Sequence, residues 1–231
     1  MRDCEFSDNK VLRSWHNNAD EWIRAIDRAA IPSRKLITDR AIVEAILAHN
    51  PTSVLDIGCG EGWLARRLSA EGIDVWGIDG TADLICEAQR RGQERQHFCT
   101  LSYEELEPQA FESKFDLIVC NFSLIGEGST NAVFRNACSL LNPQGYLLVQ
   151  TLHPLLSCGD ENYQDGWRPG SWEGIEGDFQ EAAPWYFRTV SSWVHLFIEH
   201  GLELTTLREP INPTSGKPAS LILAGQFRLQ P

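Results

Sequence analysis

The 231-residue chain is 42% apolar, enough for a substantial core, and sets 20 Lys and Arg against 32 Asp and Glu, a formal net charge of −12. That balance argues against general affinity for nucleic acid or an anionic membrane, since both call for basic surface. No apolar run approaches the roughly 18 residues of a membrane span, and the seven cysteines, Cys4 among them, are scattered without a CxxC pair. The expectation is a reduced, soluble, cytoplasmic protein, monomer or homodimer, with no metal site.

Residues 1–14 are polar and read as loosely held. Trp15 to Ala30 reads as a helix, with Trp22, Ile26 and Ala29 or Ala30 on one apolar face. Pro32 interrupts, and a second helix is predicted from Thr38, as N-cap, to about Ala48. Val54–Ile57 is a short apolar run of buried-strand type, followed by the turn Gly58-Cys59-Gly60-Glu61-Gly62 and a helix over 63–70. Strand Asp74–Ile78, helix Ala82–Arg91, strand His97–Thr100 and a short helix Tyr103–Leu106 come next. Strand Phe115–Asn121 precedes a helix over about 130–141, stopped by Asn142-Pro143, and strand Tyr146–Leu152. Strands alternating with helices mean βαβ units and a mostly parallel sheet with its ligand site at the carboxyl ends of the strands. Residues 154–187 break the rhythm with Tyr163, Trp167, Trp172, Phe179, Trp185, Tyr186 and Phe187 among Gly, Pro and acidic residues. A long aromatic loop inside a compact domain points to function rather than disorder. A helix over 191–200 closed by Gly201 and strands Leu202–Leu207 and Leu221–Phe227 end the chain. His195 and His200, five apart, do not share a face as zinc ligands would.

The turn is the informative stretch. A dinucleotide fingerprint wants G-x-G-x-x-G, whereas this turn is G-x-G-x-G with Trp63 where the third glycine would stand. An acid, Asp56, sits inside the strand two residues before Gly58, which suits a cationic amine and would repel a pyrophosphate. Asp79, at the end of the second strand and 19 positions after Gly60, is placed to accept from both hydroxyls of a ribose; the plainer reading is an Asp-Gly turn.

The stretch Val54-Leu55-Asp56-Ile57-Gly58-Cys59-Gly60-Glu61-Gly62 resembles motif I of the class I S-adenosylmethionine-dependent methyltransferases, and the resemblance extends over about 36–228. It implies an α/β, doubly wound, Rossmann-like seven-stranded sheet, mostly parallel with an antiparallel last strand and helices on both faces. Residues 1–50 would be an N-terminal helical cap and 51–231 the methyltransferase domain, with 154–187 inserted as lid and specificity element. The implied cofactor is S-adenosyl-L-methionine. Asp56, Ile57, Gly58, Cys59 and Gly60 would hold it, Asp79 and Gly80 its ribose, and Asn121 and Phe122 would stand at the family's motif IV. Phe122-Ser123-Leu124 departs from the signature of exocyclic-amine methylation, which counts against a DNA adenine target.

Ser102 and Tyr103 would serve the adenine side, where the family's usual acid is absent; alternatively Ser102 only caps the next turn. Trp22 and Arg34 would cover the methionine end, the rival readings being core packing and a solvated charge. Trp15, His16, His153, Tyr163, Trp167, Trp172, Trp185 and Tyr186 are candidates for an acceptor pocket, with His153 as a general base. The implied activity is methyl transfer by direct displacement to a small-molecule acceptor. The alternatives are a non-catalytic methyltransferase-like binding module and an NAD-dependent oxidoreductase, the latter opposed by Asp56 and the missing third glycine.

Overall fold

The structure, a computed structural model, describes residues 6–228, so Cys4 and the rest of the first five residues lie outside the described residues. The first helix, α1, runs Asp8–Asp27, capped by Ser7, whose Oγ accepts from Lys10 N at 3.4 Å. It therefore starts well before Trp15 and takes in residues expected to be loose. The reason is its inner face: Ser14, Asn18 and Glu21 are buried beside two alanines, a polar stripe that apolar periodicity misses.

Thr38 is not an N-cap. It closes a π-helical turn, Arg34–Thr38, that feeds directly into α2, Asp39–Leu47, and its backbone is already helical with no side-chain cap bond. Then follow β1 Ser53–Ile57, α3 Trp63–Ser69, β2 Asp74–Asp79, α4 Ala82–Arg91, β3 Gln96–Thr100 and β4 Phe115–Asn121. Helix α5, Gly128–Leu140, passes without a gap into β5, Leu141–Thr151. The expected stop at Asn142-Pro143 lies inside the strand: Leu141 already pairs with Phe115, and a residue before proline favours extended backbone. Next come a single turn α6, Pro154–Ser157, a two-stranded ribbon of β6, Gly166–Arg168, and β7, Trp185–Phe187, then α7, Val190–Glu199, β8, Leu202–Arg208, and β9, Leu221–Phe227.

The main sheet has seven strands in the order β3-β2-β1-β4-β5-β9-β8. β9 runs antiparallel to both its neighbours, and every other pairing is parallel, as expected. Alternating strand residues feed two cores. Leu55, Ile118, Cys120 and Val149 meet Phe134 of α5 and Trp193 and Phe197 of α7. Val54, Leu117, Val119 and Leu148 meet Ile42 and Ile46 of α2 and Leu64 and Leu68 of α3. Each such fully buried side chain contributes about 1.5–3 kcal/mol. α1 packs across the carboxyl edge, anchored to α4 where both Nη atoms of Arg91 donate to the Asp27 carboxylate at 2.7 and 2.9 Å.

Candidate functional site

Side chains alternate along a strand, so register alone places four polar residues in one row. Asp79, Asp56, Asn121 and Gln150 all lie on the α2 side of the sheet, sharing parity with Val75, Val54, Val119 and Leu148. Asp56 is level with Gly77 and Val119, so Asp79 and Asn121 stand one pleat above it on either side, with Gln150 paired beside Asn121. The row spans β2, β1, β4 and β5 at about 4.8 Å per strand, or roughly 14 Å.

Three of the four keep a buried acceptor atom without a partner among the described residues: Asp56 Oδ2, Asn121 Oδ1 and Gln150 Oε1. Leaving such an atom unsatisfied costs about 1–3 kcal/mol, which a ligand's N–H or O–H groups would recover. Burial, with the charges of Asp79 and Glu61 adding to it, pushes the Asp56 carboxyl up to about 8. Burial also raises Asp79, partly offset by bonds from Thr81 and Gly60.

The glycine turn is built for backbone approach. Gly58 N and Cys59 N donate to Ile78 O at 2.8 and 2.9 Å, and Gly60 N donates to Asp79 Oδ2 at 3.0 Å. Thr81 N holds the other oxygen, Oδ1, at 2.8 Å, so the carboxylate is fixed in place. Gly58 has φ +75°, and a Cβ there would collide with Ser123 and the Tyr103 hydroxyl. Tyr103 and Ser123 thus close over the turn: Tyr103 Oη donates to Ser123 O, and Ser123 Oγ donates to Ile57 O at 2.6 Å. Phe122 has φ +54°, a left-handed conformation costly for a bulky residue, held by its N–H donating to Gln150 O at 2.8 Å. Ser102 caps its own turn, its N and Oγ both donating to Glu105 Oε2, as one of the two sequence readings had it.

α1 and residues 171–181 form a cover over this edge. A Cβ on Gly60 would lie 3.8 Å from Trp22 Nε1, and one on Gly80 would lie 2.9 Å from Leu12. Trp22 packs edge-on to Trp15, Trp15 edge-on to Trp172, and Trp172 stacks on Phe179 at 4.3 Å. Polar bonds stitch the two pieces together: Ser14 Oγ donates to Glu181 O at 2.8 Å, and Gln180 N donates to Asn18 Oδ1 at 2.6 Å. His16, exposed on α1, is near enough to Asp79 for its charge to favour the carboxylate. Arg34 lies over the Trp63 ring at 4.8 Å with its Nε donating to Asp39 at 3.0 Å.

Trp15, Trp22 and Trp172 are therefore brought together beside the glycine turn. Tyr163 and Trp185 instead pack edge-on to Phe187, over which the buried Arg168 lies, and Trp167 packs edge-on to Tyr186, over which the buried Arg188 lies. A hollow of about 480 Å³ there, lined by Glu127, Asp165, Tyr186, Arg188, His195 and Glu199, touches α5 and α7 on the other sheet face from Asp56. His153 is buried just beyond β5, its Nε2 2.7 Å from Glu209 Oε1 and its Nδ1 without a partner among the described residues. Gln150 and Glu209 carry no signal in the sequence: each is a lone polar residue in no spacing pattern, although parity with Asn121 marks Gln150 once the strands are paired.

The family model described as "Methyltransferase domain" matches residues 14–207. The chain is 29% identical over 101 residues to the ubiquinone biosynthesis O-methyltransferase of Coxiella burnetii, a match covering 43% of each chain. It spans about two fifths of the length of the curated relatives it matches. Among solved structures it is similar to the Burkholderia thailandensis 1,6-didemethyltoxoflavin-N1-methyltransferase, with TM-score 0.63 and 20% identity, covering 96% of this chain and 87% of that one. It is similar also to an S-adenosylmethionine-dependent methyltransferase from Mesorhizobium loti, with TM-score 0.61 and 19% identity, covering 79% and 96%. The fold is common to all three.

Proposed function

From the premise that the chain belongs to the class I S-adenosylmethionine-dependent methyltransferase family, we propose that it methylates a small molecule bound beneath α1 and residues 171–181. The observation that carries this reading is a pair of buried acceptors without a partner among the described residues, Asp56 Oδ2 and Asn121 Oδ1, on the sheet face they share with Asp79. Such a row calls for a ligand rich in donors and bearing a cation. S-adenosylmethionine fits, and when bound it supplies an electrophilic methyl group on a sulfonium.

In this reading Asp79 accepts from ribose hydroxyls, Asp56 faces the amine, and Asn121 accepts a further donor. The backbone at Gly58 and Gly60 leaves the room a side chain would fill. Trp15, Trp22 and Trp172 wall the acceptor and exclude water. The protein's contribution is alignment, and positioning of this kind supplies as much as roughly 7–11 kcal/mol of a bimolecular barrier. A planar, partly apolar acceptor suits an aromatic wall.

Titration calorimetry with S-adenosylhomocysteine, and then with NAD, tests the proposal. Micromolar binding of the first, lost in Asp79→Ala, and none of the second is the expected result. No binding at millimolar S-adenosylhomocysteine would overturn it.

A further inference from the structure

Past the donor residues, at and just beyond the carboxyl end of β5, Gln150 Oε1 and His153 Nδ1 are also buried without a partner among the described residues. Both groups are fixed from behind. Gln150 Nε2 donates to Thr38 O and to Ser220 Oγ, each at 3.3 Å, and because a carbonyl only accepts, the amide oxygen is the atom left open. His153 Nε2 faces Glu209 Oε1 at 2.7 Å. A carboxylate only accepts, so Nε2 carries the ring proton, and a second proton on buried Nδ1 would be an unpaired donor. The arrangement leaves a lone pair on Nδ1.

We infer that His153 and Glu209 form a proton-accepting pair for the acceptor's nucleophile, and that the nucleophile is a phenol-type hydroxyl. This rests on the methyltransferase reading above and adds a substrate class to it. The hydroxyl's O–H bond breaks, its proton passing to His153 Nδ1, as the O–C bond forms. The S–C bond of the donor breaks with its electron pair left on sulfur, so charge balances. An amine attacks through its own lone pair and needs no base first; a phenol is weak until its proton leaves. The tryptophan cover suits a planar ring, and Gln150 Oε1 stands ready for a second donor on it. Glu209 is a positioning residue: it lies just past β8, level with the end of β5 across β9, and selects the ring tautomer.

The test uses the full chain saturated with S-adenosylhomocysteine, its histidines labelled with nitrogen-15. Near neutral pH, His153 should show a proton on Nε2 and a bare Nδ1, and Glu209→Gln should mix the tautomers. In turnover with catechol and 4-hydroxybenzoate as probes and their amine counterparts as controls, the phenols should be methylated and the amines not. His153→Phe should lower kcat by roughly 100-fold or more and Glu209→Gln by about tenfold, with KM for the donor and S-adenosylhomocysteine affinity unchanged. A doubly protonated or Nδ1-protonated ring, variants with wild-type kcat, faster turnover of the amines, or no turnover of any phenol by a protein that binds S-adenosylhomocysteine would each overturn this inference. Loss of S-adenosylhomocysteine binding by the unaltered protein would overturn the methyltransferase reading instead.

Discussion

Binding of S-adenosylhomocysteine should release a proton, and Asp56 is the reason. Its carboxyl is pushed up to about 8, chiefly by burial, so at pH 7 it is about nine-tenths protonated in the ligand-free protein. A bound ammonium group favours the carboxylate, so complex formation at pH 7 expels about 0.9 of a proton. The sign follows from which form binds: the ionised fraction rises with pH, so affinity rises too and levels off above 8. Between pH 8 and pH 6 the ionised fraction falls from about a half to about 1%, which predicts roughly 50-fold weaker binding, or about 2.3 kcal/mol. Titration calorimetry in two buffers of different ionisation enthalpy reads both the proton count and the affinity. Asp56→Asn should flatten the pH dependence and release no proton. A wild-type protein that binds with no net proton release at pH 7 and with affinity flat from pH 6 to 8 would refute the reasoning.

The same aspartate bears on folding. Its folded value lies above its unfolded one, so its contribution is fully present below about pH 4 and is lost as pH rises toward 8, at most about 6 kcal/mol; Asp56→Asn should raise the urea midpoint of the ligand-free protein most at the alkaline end. Gly58→Ala, which would drive a Cβ into Ser123 and Tyr103, should abolish S-adenosylhomocysteine binding and lower the melting temperature sharply. Gly60→Ala, at φ +57° where a Cβ would meet only Trp22 Nε1 at an unstrained 3.8 Å, should cost only the left-handed backbone penalty of about 1–2 kcal/mol. Asn18→Ala removes the acceptor of Gln180 N, so hydrogen exchange over residues 171–181 should quicken while the sheet's exchange is unchanged. Asp116, held down to about 2 by bonds from Thr52, Ser53 and Asn142, is the opposite case from Asp56. Its stabilisation is present above about pH 4 and lost as pH falls toward 2, at most about 2 kcal/mol, visible as a steep loss of thermal stability that Asp116→Asn lacks.

What the chain disclosed by itself was the part fixed by neighbouring residues. Phe115–Asn121 and Leu221–Phe227 fall where their apolar runs placed them, and the glycine turn, Asp56 and Asp79 meet because a single βαβ unit, β1–α3–β2, carries all of them. Apolar periodicity misses the first two turns of α1 because its buried face is Ser14, Asn18 and Glu21, whose partners include the backbone of a segment some 160 residues away rather than an apolar core. The aromatic loop 154–187, one element by composition, is two in the structure: Trp172 and Phe179 join the cover, while Trp185 and Tyr186 lie against the buried Arg168 and Arg188, with Trp167 edge-on to Tyr186. The Gln150 and Glu209 contacts depend on sheet order, which brings β8 and β9 alongside β5, and no local pattern carries that information.

The stitching of α1 to residues 180 and 181 also sets an order of events during synthesis. The helix emerges first and its partners come 162 and 167 residues later, an interval of roughly 10–30 s at about 5–20 residues per second. By then the four strands that carry Asp79, Asp56, Asn121 and Gln150 have all left the ribosome, whereas β9, which alone joins β8 to them, has not. Through that interval the nascent chain displays Trp15 and Trp22 without Trp172 against them, and the growing protein holds a cleft whose roof stays half-built until residues 171–181 emerge.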